Sequence, residues 1–269
     1  MTDPLDRIAA ALERLAPPPA PLADLAVHPA YVWHRGTLVA ARAFAPLPLD
    51  ELVGIDAQKE VFVENVRRLA AGLPAHDALL WGARGTGKSA LVKAAVAAVQ
   101  GAGGDIALIE APADALDSLP ALFAHIAGAP RAFLLFADDL GFDAAADGRA
   151  LRSLLEGGAE ARPANVRLVV TSNRRHLIPR DIAEQASAIN PRDSIDDNLA
   201  LADRFGLSLG FHAIDQDIYV EIVRTYAAHH GLPFDAAEAI NWATRRGSRS
   251  GRVAWQYVVD LAGRHGIRL

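Results

Sequence analysis

Eight residues, Gly82-Ala83-Arg84-Gly85-Thr86-Gly87-Lys88-Ser89, carry the most specific chemistry in this 269-residue chain. They fit G-x-x-x-x-G-K-[ST], the phosphate-binding P-loop. Its glycines let backbone N–H groups crowd a polyphosphate, its lysine adds charge, and its hydroxyl can join a Mg2+ ion. Further on, the apolar run Phe133 to Ala137 ends in Asp138-Asp139. Asp138 can orient a water on Mg2+, and Asp139 can polarise an attacking water. A third run ends in Thr171-Ser172-Asn173, where Asn173 can reach a γ-phosphate from a neighbouring strand tip. The expected ligands are ATP and Mg2+.

These residues need strands to carry them and helices to pack the strands. Ala78 to Trp81 reads as a strand entering the loop, and Lys88 to Gln100 as a helix leaving it with its partial positive end toward the phosphates. Further strands are expected at Asp105–Glu110, Arg131–Phe136, Asn165–Val170 and Leu207–Phe211. Helices fall between them, at Leu116–Ile126 and around Leu151, Leu154 and Leu155. Five strands alternating with helices predict an α/β fold, a P-loop NTPase core with a five-stranded parallel sheet over residues 49–213. Near its start, ahead of the P-loop, Asp56 reads as the N-cap of a helix, and Val53, Gly54 and Ile55 are expected to contact adenine. A small helical lid should follow over 214–269: Asp215 caps one helix, Asp235 a second, and Gly251 to His265 forms a third. Arg245, Arg246, Arg249 and Arg252 crowd the turn between the last two, beside the phosphate site.

Residues 1–48 read as an N-terminal helical or extended arm, packed on the core and outside the nucleotide fold. Its helix at Asp6–Leu15 stops at Pro17-Pro18-Pro19. Residues 174–206 show no regular pattern. Arg174, Arg175 and Arg180 open that segment, and from Asp181 to Asp203 come six acids, Asp181, Glu184, Asp193, Asp196, Asp197 and Asp203, against the single base Arg192.

With no cysteine, disulfides, thiolate catalysis and cysteine-ligated metals are excluded. No apolar run is long enough to span a bilayer, and no basic region followed by an apolar one opens the chain, so a cytoplasmic location with no membrane partner is expected. The net charge of −5 argues against a globally basic nucleic-acid coat.

Gly82 to Ser89, Phe133 to Asp139, Thr171 to Asn173, Asp203-Arg204-Phe205 and Gly251-Arg252 follow the order and approximate spacing of the AAA+ ATPases, which the region from Leu49 onward resembles. The phrases Leu79–Ser89, Thr171–Leu177, Asp203–Leu207 and Arg246–Ala254 look like the bacterial AAA+ family catalogued as domain of unknown function 815. The resemblance implies an ATPase in which Lys88 contacts the β- and γ-phosphates, with Ser89 and Asp138 on Mg2+ and Ala90 beside them in the nucleotide site. Asp139 would polarise water and Asn173 would be sensor 1. Arg204 would be an arginine finger reaching a neighbouring subunit's ATP, and either Arg252 or Arg249 would be sensor 2.

The resemblance further implies self-association into a ring and a protein client to remodel or load. Two departures qualify it. The second Walker B acid is Asp139 where most AAA+ motors carry Glu, which suggests slow turnover or an occupancy switch. The segment Ala111–Leu119 lacks an aromatic pore loop, which disfavours threading. A DNA-associated loader is a third expectation, with Arg174, Arg175 and the lid arginines on phosphates. In a ring, the acidic segment 181–203 could face the basic lid across subunits.

Overall fold

The computed structural model describes residues 3–5, 7–8, 23–140, 151, 154–155, 162–173 and 204–269. Most of the expected helix at 6–15 (all but residues 7 and 8), Arg174, Arg175, Arg180, the acidic run and Asp203 lie outside these.

Runs of apolar residues bounded by turns form seven strands in one sheet: β1 (Ala30–His34), β2 (Thr37–Ala40), β3 (Ala78–Gly82), β4 (Ile106–Glu110), β5 (Ala132–Ala137), β6 (Val166–Ser172) and β7 (Leu207–Phe211), in the order β2-β1-β4-β5-β6-β3-β7. All neighbours pair in parallel except β1 with β2. Strands buried on both faces must be apolar throughout, as β5 is, with all six residues buried. Side-chain alternation sends Leu79 to one core and Leu80 to the other.

Helices cover both faces. On one, α1 (Asp56–Ala70) and α2 (Lys88–Gly101) bury Phe62, Val66, Leu91 and Val96. The opposite face is closed by α3 (Leu119–Ile126), through Leu119, Leu122 and Ile126. Beyond β7, α4 (Gln216–His229), α5 (Ala236–Arg245) and α6 (Gly251–His265) enclose a third core around Tyr219, Val223 and Tyr257.

The sheet has seven strands where five were expected, because the region before residue 48 supplies β1 and β2. Tyr31, Trp33 and Leu38 are buried, and the two strands turn through Arg35-Gly36, both at positive φ, which matches the twist of a tight hairpin. Trp33 Nε1 donates to Ser118 Oγ at 2.8 Å, which ties the hairpin to the turn before α3. That turn, Ala113–Ser118, is a 3₁₀ helix where the sequence had suggested the start of α3.

Helix caps mostly follow the sequence. Asp215, Asp235 and Ser250 each accept a backbone N–H from three residues on, opening α4, α5 and α6. Such a cap contributes ~1 kcal/mol. Asp56 departs from expectation: Ile55 holds the cap position, and Asp56 sits one residue inside the helix, paired with Lys59 at 2.7 Å.

Candidate nucleotide site

Strand β3 lies between β6 and β7, and the chain leaves it to start β4 on the far side of β5. Parallel sheets bind ligands at such reversals, outside the carboxyl ends of the strands. The loop Gly82–Gly87 sits at that end. Gly82, Gly85 and Gly87 all have positive φ. A Cβ on Gly82 would lie 2.0 Å from the Phe211 carbonyl oxygen of β7, and one on Gly85 would lie 2.6 Å from Ser250 Cβ. The glycines are thus required by close packing of the loop against its neighbours as well as by its turn.

Lys88 is buried, and its Nζ donates to Gly82 O at 3.0 Å, Ala83 O at 2.8 Å and Asn173 Oδ1 at 3.0 Å. Burial holds its pKa below the ordinary lysine value, and the carboxylates of Asp139 and Asp138 oppose that shift without cancelling it. Asp138 Oδ1 accepts from Ser89 Oγ and from Thr171 Oγ1, each at 2.6 Å. Thr171 Oγ1 also receives the Asp139 N–H at 2.8 Å. Asp139 has φ 52, in the left-handed region that aspartate tolerates better than most residues. Its Oδ1 accepts from the Asn173 amide, and its Oδ2 lies 3.7 Å from Arg84 Nη2.

These groups border an open cleft of about 410 Å3, lined at its polar end by Gly85, Gly87, Lys88, Ser89, Asp138, Asp139 and Asn173. Ala90, Arg84 and Arg252 line it too. Arg249 does not: its Nη2 lies 3.4 Å from Gln216 Oε1, and it borders a separate groove with Ala83 and Thr86. Thr86 Oγ1 donates back to Ala83 O, closing the loop on itself.

Of the three residues expected at adenine, none lines the cleft. Val53 packs against the α4–α6 core, Gly54 faces Ile218, and buried Ile55 comes within reach of Gly87. The apolar end is made instead by Leu47, Leu52, Tyr226 and Trp255. The two rings meet edge to face at 5.8 Å, and burial together with nearby Glu51 pushes the Tyr226 hydroxyl up to about 12. Tyr226 and Trp255 sit on α4 and α6, so only the fold brings them to this cleft. Helical periodicity marks them as apolar-face residues and nothing more.

Arg204 is exposed, and it is not among the residues lining the cleft. It precedes β7, which runs parallel to β3, so it stands at the sheet end opposite the loop. A five-residue strand separates the two levels by about 17 Å.

A family model described as "Protein of unknown function (DUF815)" matches residues 26–265. The chain belongs to the DUF815 family. No curated protein matches this DUF815 chain. Among solved structures, a RuvB variant from Thermotoga maritima superposes with TM-score 0.53 at 20% identity, covering 79% of this chain and 64% of its own. The ORC1 protein of Aeropyrum pernix, solved in complex with DNA, gives 0.55 at 16% identity over 79% of this chain and 61% of that one. ORC2 from the same organism, in its ADPNP–ADP complexes, gives 0.51 at 14% over 82% and 70%. The DUF815 chain therefore spans less than two thirds of the RuvB and ORC1 chains. The fold they share with it is that of the AAA+ P-loop ATPases, as the motif order implied.

The buried lysine has a pH consequence for the DUF815 site. A phosphate held by Lys88 would need the charged amine, and burial makes Lys88 give up its proton at lower pH than a free lysine. Nucleotide affinity should therefore decline with rising pH before the ordinary lysine range near 10.4 is reached. Titrations at stepped alkaline pH check this; a Lys88→Arg variant, permanently charged, should show no such decline.

Among the described residues, no helix is long and apolar enough to cross a membrane.

Proposed function

We propose that this protein is an oligomeric Mg2+-dependent ATPase that uses nucleotide state to act on a partner. The observation that carries the reading is the convergence of Lys88, Ser89, Asp138, Asp139 and Asn173, from three separate stretches of chain, on one cleft. Ligand fit supports it. Lys88 and the loop N–H groups would hold the β- and γ-phosphates, while Leu47, Leu52, Tyr226 and Trp255 would take the base. Mg2+ uses few protein ligands and otherwise relies on phosphate and water, so Ser89 and Asp138, already joined at 2.6 Å, suffice. When bound, the metal neutralises charge on the phosphates undergoing transfer. Asp139 would orient water, Asn173 would hold it, and Arg252 would face the phosphates from the lid.

Arg204 motivates self-association, because it stands at the wrong end of its own sheet to serve its own cleft. A trans site makes specific activity rise with protein concentration until assembly is complete. Steady-state phosphate release under saturating Mg-ATP over a dilution series tests this. Turnover that is robust and concentration-dependent is expected; a flat, near-zero rate would reject the ATPase reading. It would favour the second one, a nucleotide-occupancy switch, motivated by the short Asp139 whose two carboxylate oxygens are both engaged by nitrogen donors.

A further inference from the structure

Arg84 is a variable position of the P-loop motif, yet it occupies a junction. Its side chain is 73% exposed. It lines the cleft beside Lys88 and also borders the second groove, of about 460 Å3, with Arg249. Across the cleft its Nη2 lies 3.7 Å from Asp139 Oδ2, while Asn173 donates to Oδ1. Asn173 in turn accepts from Lys88. Lys88, Asn173, Asp139 and Arg84 thus form one chain of contacts, in which the second acid has nitrogen partners on both oxygens.

We propose that Arg84 is a positioning residue that alternates between Asp139 and the terminal phosphate of a bound triphosphate, so that the acid is released only when that phosphate is present. This rests on the ATPase reading above. An exposed ion pair at this separation is held weakly. A terminal phosphate carries more charge than a carboxylate and accepts the guanidinium fork in bidentate fashion, so Arg84 gains by the exchange. With a diphosphate bound, the γ-phosphate is absent, the terminal β-phosphate lies deeper in the Lys88 loop, and Arg84 stays on Asp139. Arg84 would therefore set the preference for tri- over diphosphate, and would restrain the acid in every state but the triphosphate one.

The test uses the full chain, Arg84→Ala and Arg84→Lys, with Mg2+, ADP and a slowly hydrolysed ATP analogue, and separates KM from kcat. Arg84→Ala should weaken analogue binding and raise KM by on the order of tenfold, because a charge-assisted hydrogen bond to the terminal phosphate is lost. Its ADP affinity should stay within about twofold of the parent. Arg84→Lys should recover part of the analogue affinity. Equal loss for ADP and analogue, a fall in kcat at unchanged KM, or no change at all would overturn the proposal. Asp139→Asn keeps this separate from the reading beneath it. Parent-like turnover in Asp139→Asn would remove the acid's role in the ATPase reading, whereas an inactive Asp139→Asn beside an Arg84→Ala with unchanged KM would remove the Arg84 proposal alone.

Discussion

Lys88→Ala is expected to lower ATP turnover by about 10³-fold, since it removes the buried ammonium that the ATPase reading places on the phosphates. Its ammonium now satisfies two loop carbonyls and Asn173 Oδ1. Those acceptors line an open cleft, so water can replace the lost donor, and the melting temperature should move little. Phosphate release and a thermal melt on the same preparation separate chemistry from folding. A Lys88→Ala protein that melts with the parent and hydrolyses ATP at the parent rate would contradict the role given to this lysine.

Arg204→Ala should behave differently. An arginine finger supplied in trans contributes on the order of 10³ to 10⁵ in rate. The variant should therefore bind nucleotide like the parent yet turn over slower by at least the lower figure. A mixing experiment isolates the trans character. Lys88→Ala and Arg204→Ala proteins, each inactive, should regain activity when combined, because a mixed assembly contains interfaces with an intact Lys88 on one side and an intact Arg204 on the other. If Arg204→Ala loses binding along with turnover, or the mixture stays inactive while co-assembling, the residue is structural in its own chain.

The features legible in the sequence were those with local causes. The P-loop depends on glycine at fixed spacing, and Gly82, Gly85 and Gly87 do adopt the positive φ that such a turn needs. Runs such as Phe133–Phe136 are apolar on both faces because the sheet is covered on both faces, so strands β3 to β7 could be placed to within a few residues. The caps Asp215 and Asp235 also act within one turn of helix.

Features with distant causes were not legible. Strands β1 and β2 are short, and β1 carries two aromatic residues, Tyr31 and Trp33. Pairing beside β4 is what makes them part of the sheet, and the Arg35-Gly36 turn was the one local signal for them. The residues at the apolar end of the cleft escaped the sequence for a similar reason. Val53 to Ile55 lie close to the cleft in sequence and in space, but Val53 and Gly54 turn toward the lid helices, and Leu47, Leu52, Tyr226 and Trp255 converge from three elements whose meeting no periodicity encodes. The choice between Arg249 and Arg252 was likewise open in sequence. Three residues apart across the start of α6, they fall on opposite sides of the loop, and Arg252 alone lines the cleft.

Calorimetric titration of ATP into the unsubstituted 269-residue chain, with and without Mg2+, asks most directly whether the Lys88 loop is a nucleotide site. Saturable binding near one nucleotide per chain, strengthened by Mg2+ through Ser89 and Asp138, is the predicted result. Absence of saturable adenine-nucleotide binding in the presence of Mg2+ would contradict it and leave the chain an AAA+ fold without its ligand.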